Sequence, residues 1–174
     1  MLLSEHLFNK AEVETRGLNG SVDDVAAKQD YLDGIKASYL YYYRAAATAP
    51  TTLSVPGTTP GITQYNAFIA TTAAGASNEN NPLVNFDKAA TNGALNKQAI
   101  IIYQKYLALN SVASTEAWDD FRRTGLPKIP IALLATGGKF PTRLLYPLSE
   151  AGTNSANVPK GVDQFTKIFW DVVD

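Results

Sequence analysis

Apolar residues recur at steps of three and four through several stretches of this chain. The clearest follows Asn19-Gly20, where Val22, Val25, Leu32, Ile35, Tyr39, Tyr42 and Ala46 fall on one helical stripe that skips only Gln29. This spacing predicts a helix of about 25 residues, its apolar stripe turned to the core. Ser21 is its expected N-cap, with Asp24 three residues on as the acid of a capping-box variant. Upstream, Leu3, Leu7, Ala11 and Glu14 share a face and predict a helix over 2–16 that ends at Gly17. A tight Asn-Gly turn between two helices makes an antiparallel hairpin, the unit of helical-repeat proteins.

The pattern then lapses. Residues 48–93 are rich in Thr, Ala, Gly, Asn and Pro and carry few charges, with one short helix predicted over 62–71. A connection of this length is commonly functional. Helical spacing returns over 94–110, where Leu95, Ala99, Ile102, Tyr106 and Leu109 share a face that Ile101 and Tyr103 widen. A shorter helix follows to Thr124, and the remainder reads as irregular. The fold class predicted is mostly α, helical hairpins with long irregular loops and little or no sheet. Length predicts one domain over 1–174, built from a hairpin (1–47), a loop-rich connection (48–93) and a C-terminal region (94–174).

Composition narrows the function more than the fold. Fifteen basic against sixteen acidic residues leave a net charge of −1, which gives no electrostatic reason to propose nucleic acid or anionic lipid as partner. The chain has no cysteine, so disulfides, thiol catalysis and thiolate metal sites are excluded. No window reaches the apolar length of a membrane span. The N-terminus has no basic region leading into an apolar one, and it begins inside an amphipathic pattern. It therefore reads as part of a longer chain.

The lone histidine, His6, has no nucleophile near it in sequence, and no phosphate-binding glycine loop, dinucleotide fingerprint or zinc spacing occurs. No enzyme and no cofactor are expected. Three groups of residues carry candidate chemistry, each with two readings. Trp118, Asp120, Arg122 and Arg123 form either a clamp for sugar or carboxylate oxygens, or a helix whose aromatics pack while its arginines meet acids and carbonyls. Tyr39, Tyr41, Tyr42 and Tyr43 form either a platform on which sugar rings stack or a packed cluster, with Tyr39, Tyr42 and Tyr43 pointing to the predicted core stripe and Tyr41 the expected exposed ring. In the connection, Tyr65 offers a stacking face, while Asn66, Asn78, Asn80 and Asn81 offer amides that both donate to and accept from hydroxyls, or simply form turns. The ligand-contact candidates are thus Tyr65, Asn66, Asn80, Asn81 and Tyr41.

Four segments, in order, carry a family resemblance. Glu116-Ala117-Trp118-Asp119-Asp120-Phe121-Arg122-Arg123-Thr124-Gly125-Leu126-Pro127 resembles the E-A-W-x-D-x-R-R-T-G-x-P segment of SusD/RagB-type proteins, glycan-binding outer-membrane lipoproteins of Bacteroidetes. Ala99–Leu109, with Gln104-Lys105, is similar to their I-x-x-Q-K-W-x-A-L helix. Pro141–Glu150, followed by Asn154 and Asn157, resembles P-x-R-x-x-Y-P-x-x-E, and Lys167-Ile168-Phe169-Trp170-Asp171 their closing segment.

The resemblance implies tetratricopeptide-like hairpins and non-catalytic capture of an oligosaccharide or polysaccharide, or in some branches a peptide. It also implies a surface-exposed place at the outer membrane, with a SusC-like TonB-dependent transporter as partner. No N-terminal cysteine is present for a lipid anchor, and the family's N-terminal half is missing. The competing expectation is a helical scaffold that grips the transporter or that missing half. Neutral sugars held by hydroxyl contacts, each contributing about 1 kcal/mol, imply weak binding that is insensitive to salt.

Overall fold

Six α-helices joined by long connections make up the regular structure among the residues that the computed structural model describes: 2–45, 52–128, 130 and 139–169. They are α1 (Leu3–Thr15), α2 (Asp24–Tyr42), α3 (Ile62–Ala70), α4 (Lys97–Leu109), α5 (Ser114–Thr124) and α6 (Leu148–Thr153). A 3-10 turn covers Phe86–Lys88, and a lone parallel bridge pairs Ala90 with Asn96. No strand occurs among the described residues, so the chain is mostly α as predicted. Ala46 at the end of the predicted stripe, and Trp170 and Asp171 of the closing segment, lie outside the described residues. The chain divides into two compact units, residues 1–118 and 119–174, and the division falls inside α5.

In the first unit α1 and α2 form the predicted hairpin, but the cap between them differs from the expectation. Backbone bonds through the turn, among them Asp23 N–H to the Glu14 carbonyl at 3.1 Å, hold the chain out of the helix as far as Asp23. Asp23 then caps α2, its carboxylate accepting from the amides of Val25 (3.1 Å) and Ala26 (2.9 Å). Ser21 is left outside.

The face that α2 turns to the core also differs. Buried positions are Ala27, Asp30, Tyr31, Gly34, Ile35, Ala37 and Leu40, whereas Val22 and Val25 are exposed, the latter at 82%. Small residues explain the exchange. A Cβ on Gly34 would lie 2.9 Å from the Phe8 ring of α1, so the two helices approach more closely than a larger residue would allow. Leu3, expected on the inner face of α1, is likewise partly exposed; Leu7, Phe8 and Ala11 supply that face.

Helix α4 completes the core. Asn96 caps it by accepting from the Ala99 amide at 2.9 Å, and Ile100, Ile101 and Ile102 are all buried. Three consecutive buried positions require protein around most of the helix. Leu95 precedes the cap and is exposed rather than inward. The central cluster contains Phe8, Ala11, Ala27, Tyr31, Ile35, Phe86, Ala89, Ile100, Ile101 and Ala108.

Buried polar groups fasten the connection to this core. The Tyr31 hydroxyl donates to the Val84 carbonyl (2.9 Å), and burial pushes its pKa well above the usual phenol value. The Gln104 amide donates to the Leu83 carbonyl (3.0 Å). Within the connection, the Asn85 amide donates to the carbonyls of Glu79 (2.8 Å) and Thr72 (3.3 Å), and that of Asn78 to the Thr71 hydroxyl (2.9 Å). Helix α3 starts at Gly61, whose φ of 97° and position against α2 both demand glycine: a Cβ would lie 2.5 Å from the Tyr39 carbonyl oxygen.

In the second unit, each arginine of the motif helix pairs with the acid three residues before it. Arg122 meets Asp119 at 3.1 Å and Arg123 meets Asp120 at 2.9 Å. The Phe121 and Phe140 rings lie 4.7 Å apart. These contacts follow the structural reading of the motif. Thr142 and Arg143 donate backbone N–H groups to the Gln164 carbonyl (2.8 and 3.3 Å), closing a long loop around α6.

Candidate ligand-binding groove

The flank of α2 beside α4 carries a groove. Ile35, Ser38, Tyr39, Tyr42 and Tyr43 recur along this flank at helical spacing and line the groove, about 420 Å³ in volume. Phe8 of α1, Phe68 of α3, and Gln104, Leu107 and Ala108 of α4 complete the lining. Phe8 and Ile35 belong to the core as well, so the groove floor is the outer surface of the core.

Aromatic rings form its walls. Tyr39 and Tyr43 lie nearly parallel, 16° apart with centroids at 6.1 Å, and Phe68 stands 5.9 Å from Tyr39 at a tilt of 42°. Tyr42 is pinned at its tip, its hydroxyl directed to the carbonyls of Asn110 (2.5 Å) and Ala108 (3.2 Å) at the open end of α4. Those carbonyls belong to the helix terminus that intrahelical bonds leave unsatisfied, so the bond fixes the ring and satisfies the helix together. Partial burial raises the hydroxyl pKa of Tyr39 and Tyr42, with smaller contributions from Tyr43 and Tyr41 respectively. Tyr39 and Tyr42 therefore stay neutral at physiological pH.

Among the described residues no Asp, Glu, Lys, Arg or His lines the groove; the polar groups they bring to it are the Ser38 hydroxyl, the Gln104 amide and the tyrosine hydroxyls. Such a surface stacks against C–H faces and exchanges hydrogen bonds with neutral hydroxyls. It offers no general base paired with a nucleophile. Among the described residues no cluster of three or more His, Asp or Glu side chains is placed to hold a metal.

The residues singled out in the sequence are only partly brought together. Tyr65 sits on α3 against the groove wall, its ring edge-on to Tyr39 at 6.4 Å, half-buried and with its hydroxyl pKa raised by burial. Asn66 is exposed on the same helix. Asn80 is exposed in the turn after α3, while Asn81 serves that turn, donating to the Asn78 side chain (3.1 Å) and accepting from the Leu83 amide (3.0 Å).

The assignment of exposed rings is reversed. Tyr41 is half-buried beneath the Arg44 guanidinium, 3.9 Å above its ring, whereas Tyr42 and Tyr43 are 45% and 48% exposed. The cause is that α2 ends at Tyr42. Tyr43 caps the helix, its N–H bonded to the Tyr39 carbonyl at 3.0 Å, so its ring stacks on Tyr39 one turn back, and Tyr39, Tyr42 and Tyr43 line the groove. Phe68, an apolar position of the helix predicted over 62–71, and Ser38 and Leu107 were not among the ligand-contact candidates. For Phe68 the signal was its three-residue spacing from Tyr65.

A family model described as SusD-like, starch-binding associating with outer membrane, matches residues 1–147. The match runs through the hairpin and the 48–93 connection, which none of the quoted motif segments covers. No curated protein and no solved structure matches the chain.

Proposed function

The chain belongs to the SusD-like family of starch-binding, outer-membrane-associated proteins, and from that premise we propose that it captures an oligosaccharide in the aromatic groove of α2, α3 and α4 without cleaving it. The observation that carries this reading is the wall of Tyr39, Tyr42, Tyr43 and Phe68 around the neutral polar groups of Ser38 and Gln104. Tyr65 and Asn66 extend the contact along α3, and Asn80, Asn81 and Tyr41 are the outer candidates. The captured glycan passes to a TonB-dependent transporter at the cell surface. No helix among the described residues is long and apolar enough to cross a membrane.

Affinity electrophoresis tests the reading. Native gels cast with starch are expected to retard the protein, with retardation unchanged by added salt because no charge among the described residues lines the groove. Free migration through starch, glycogen and other polysaccharide gels would refute it.

One observation favours a second reading, a surface for a protein partner. In the second unit Leu144, Leu145, Leu148 and Phe169 are all more than half exposed, Phe169 at 97%. Large apolar side chains left exposed together in one unit are a feature of interaction sites. Concentration-dependent self-association and dye binding that Leu145→Ser and Phe169→Ser abolish would support this reading; a monomer that binds no dye would sink it.

A further inference from the structure

The groove is not alone on its face of α2. One to three turns towards the helix N-terminus, Asp24, Val25, Lys28, Gln29 and Leu32 line a second cavity of about 450 Å³, closed by Phe86, Asp87 and Lys97. The stripe Val25, Lys28/Gln29, Leu32, Ile35, Tyr39, Tyr42/Tyr43 advances by threes and fours, so one side of one helix lines both cavities. From Val25 to Tyr42 that side is about 25 Å long at a rise of 1.5 Å per residue.

Their chemistry differs. The second cavity holds two acids and two lysines, joined as ion pairs: Lys28 to Asp87 at 2.6 Å, and Lys97 to Asp24. The Lys97 ammonium also lies 5.5 Å from the centre of the buried Phe86 ring. Two positive and two negative groups cancel, so neither an anion nor a cation is favoured overall. A polyol is the class of ligand that uses both kinds at once. Each sugar hydroxyl accepts from a lysine ammonium and donates to a carboxylate, and bonds to charged partners are the stronger ones. Val25 and Leu32 supply an aliphatic surface beside them.

We propose that this cavity is a second subsite for a neutral, hydroxyl-rich unit of the same glycan chain, so that the protein reads an extended oligosaccharide along α2 rather than one sugar. The inference rests on the glycan reading of the aromatic groove. It predicts that affinity grows with chain length and that the growth depends on the Lys28–Asp87 pair.

Calorimetric titration with maltose and maltoheptaose tests it, on the wild type and on the Lys28→Ala/Asp87→Ala variant. Both side chains are largely exposed, and such pairs contribute about 0–1 kcal/mol to folding, so the melting temperature should hold. Lys28→Met, which keeps the apolar stem, provides a second variant with the same readout. The expected result is at least tenfold tighter binding of maltoheptaose than maltose by the wild type, a gain that both variants lose. If both sugars bind but the wild type shows no gain, or the variants keep it, the second subsite is overturned and the groove stands. If neither sugar binds, and no polysaccharide gel retards the protein, the glycan reading falls and this inference falls with it.

Discussion

The buried positions and the cavity-lining positions of α2 are built from different materials. Beside Tyr31, Ile35 and Leu40, the buried set includes Ala27, Asp30, Gly34 and Ala37, small or polar residues that a hydrophobicity reading passes over. The cavity-lining positions include Val25, Leu32, Tyr39, Tyr42 and Tyr43, bulkier residues, most of which the same reading assigns to a core. Close packing rewards fit rather than size. The Gly34–Phe8 contact excludes water with a glycine because the ring fills the space above it. Large aromatic residues at the cavity-lining positions leave clefts between their rings, and a cleft bounded by half-exposed rings is a place where a ligand fits.

That contrast predicts that substitutions at the buried positions change stability, and substitutions at the cavity-lining positions change binding. The largest effect is expected from Tyr31→Ala, which removes a fully buried ring and frees the Val84 carbonyl. A loss of about 3–5 kcal/mol is expected in chemical denaturation. Gly34→Val should follow. Its extra carbons meet the Phe8 ring, and overpacking of this kind costs about 1–3 kcal/mol. A normal melting temperature for Gly34→Val would show that the two sets of positions are not packed differently.

A third prediction concerns pH. Glu14, on α1 beside α2, has its carboxyl pKa raised, first by desolvation and then by the neighbouring Asp30 charge, with Lys10 opposing and Asp23 adding slightly. Lys10 itself is held by Asp30 at 2.8 Å. Because the folded state keeps the Glu14 proton to higher pH than the unfolded chain, protonated Glu14 favours folding. That advantage is complete below the usual carboxylate range and is lost as pH rises through the raised value. Glu14→Gln is therefore expected to be more stable than wild type at neutral pH, with the difference vanishing in acid. Equal melting curves for the two proteins across that range would remove the effect.

Much of the fold was legible in the sequence because its signals are local. The Asn-Gly turn, the 3.6-residue period of α1, α2 and α4, and the Glu116–Pro127 motif each mark an element without reference to the rest of the chain. Which side of α2 faces inward was not legible, since it depends on how near α1 comes, and that is set by Gly34 and Phe8 across the hairpin. The candidate site shows the same division. Tyr39, Tyr42 and Tyr43 stood out as a cluster, but their role turned on how α3 and α4 pack beside α2. Phe68 and Gln104 join them only through packing of α3 and α4, the first held in place by Gly61 against the Tyr39 carbonyl. The asparagines of the connection illustrate the limit of residue type as evidence. Asn78, Asn81 and Asn85 spend their amides on turns, a use that composition cannot separate from sugar contact.

The smallest change in stability is expected from Tyr43→Ala, and it provides the most direct test. Its ring is half exposed and stacks only on Tyr39 among the ring contacts of the groove wall, so folding should change by no more than about 0.5 kcal/mol. Loss of a stacking ring, at about 0.5–1.5 kcal/mol, corresponds to weaker binding by up to roughly tenfold. Maltoheptaose titration and thermal melting would be measured on the same preparations of wild type and variant. The account predicts an unchanged melt with several-fold weaker binding. Unchanged affinity in a protein that melts several degrees lower would place Tyr43 in the core and contradict it.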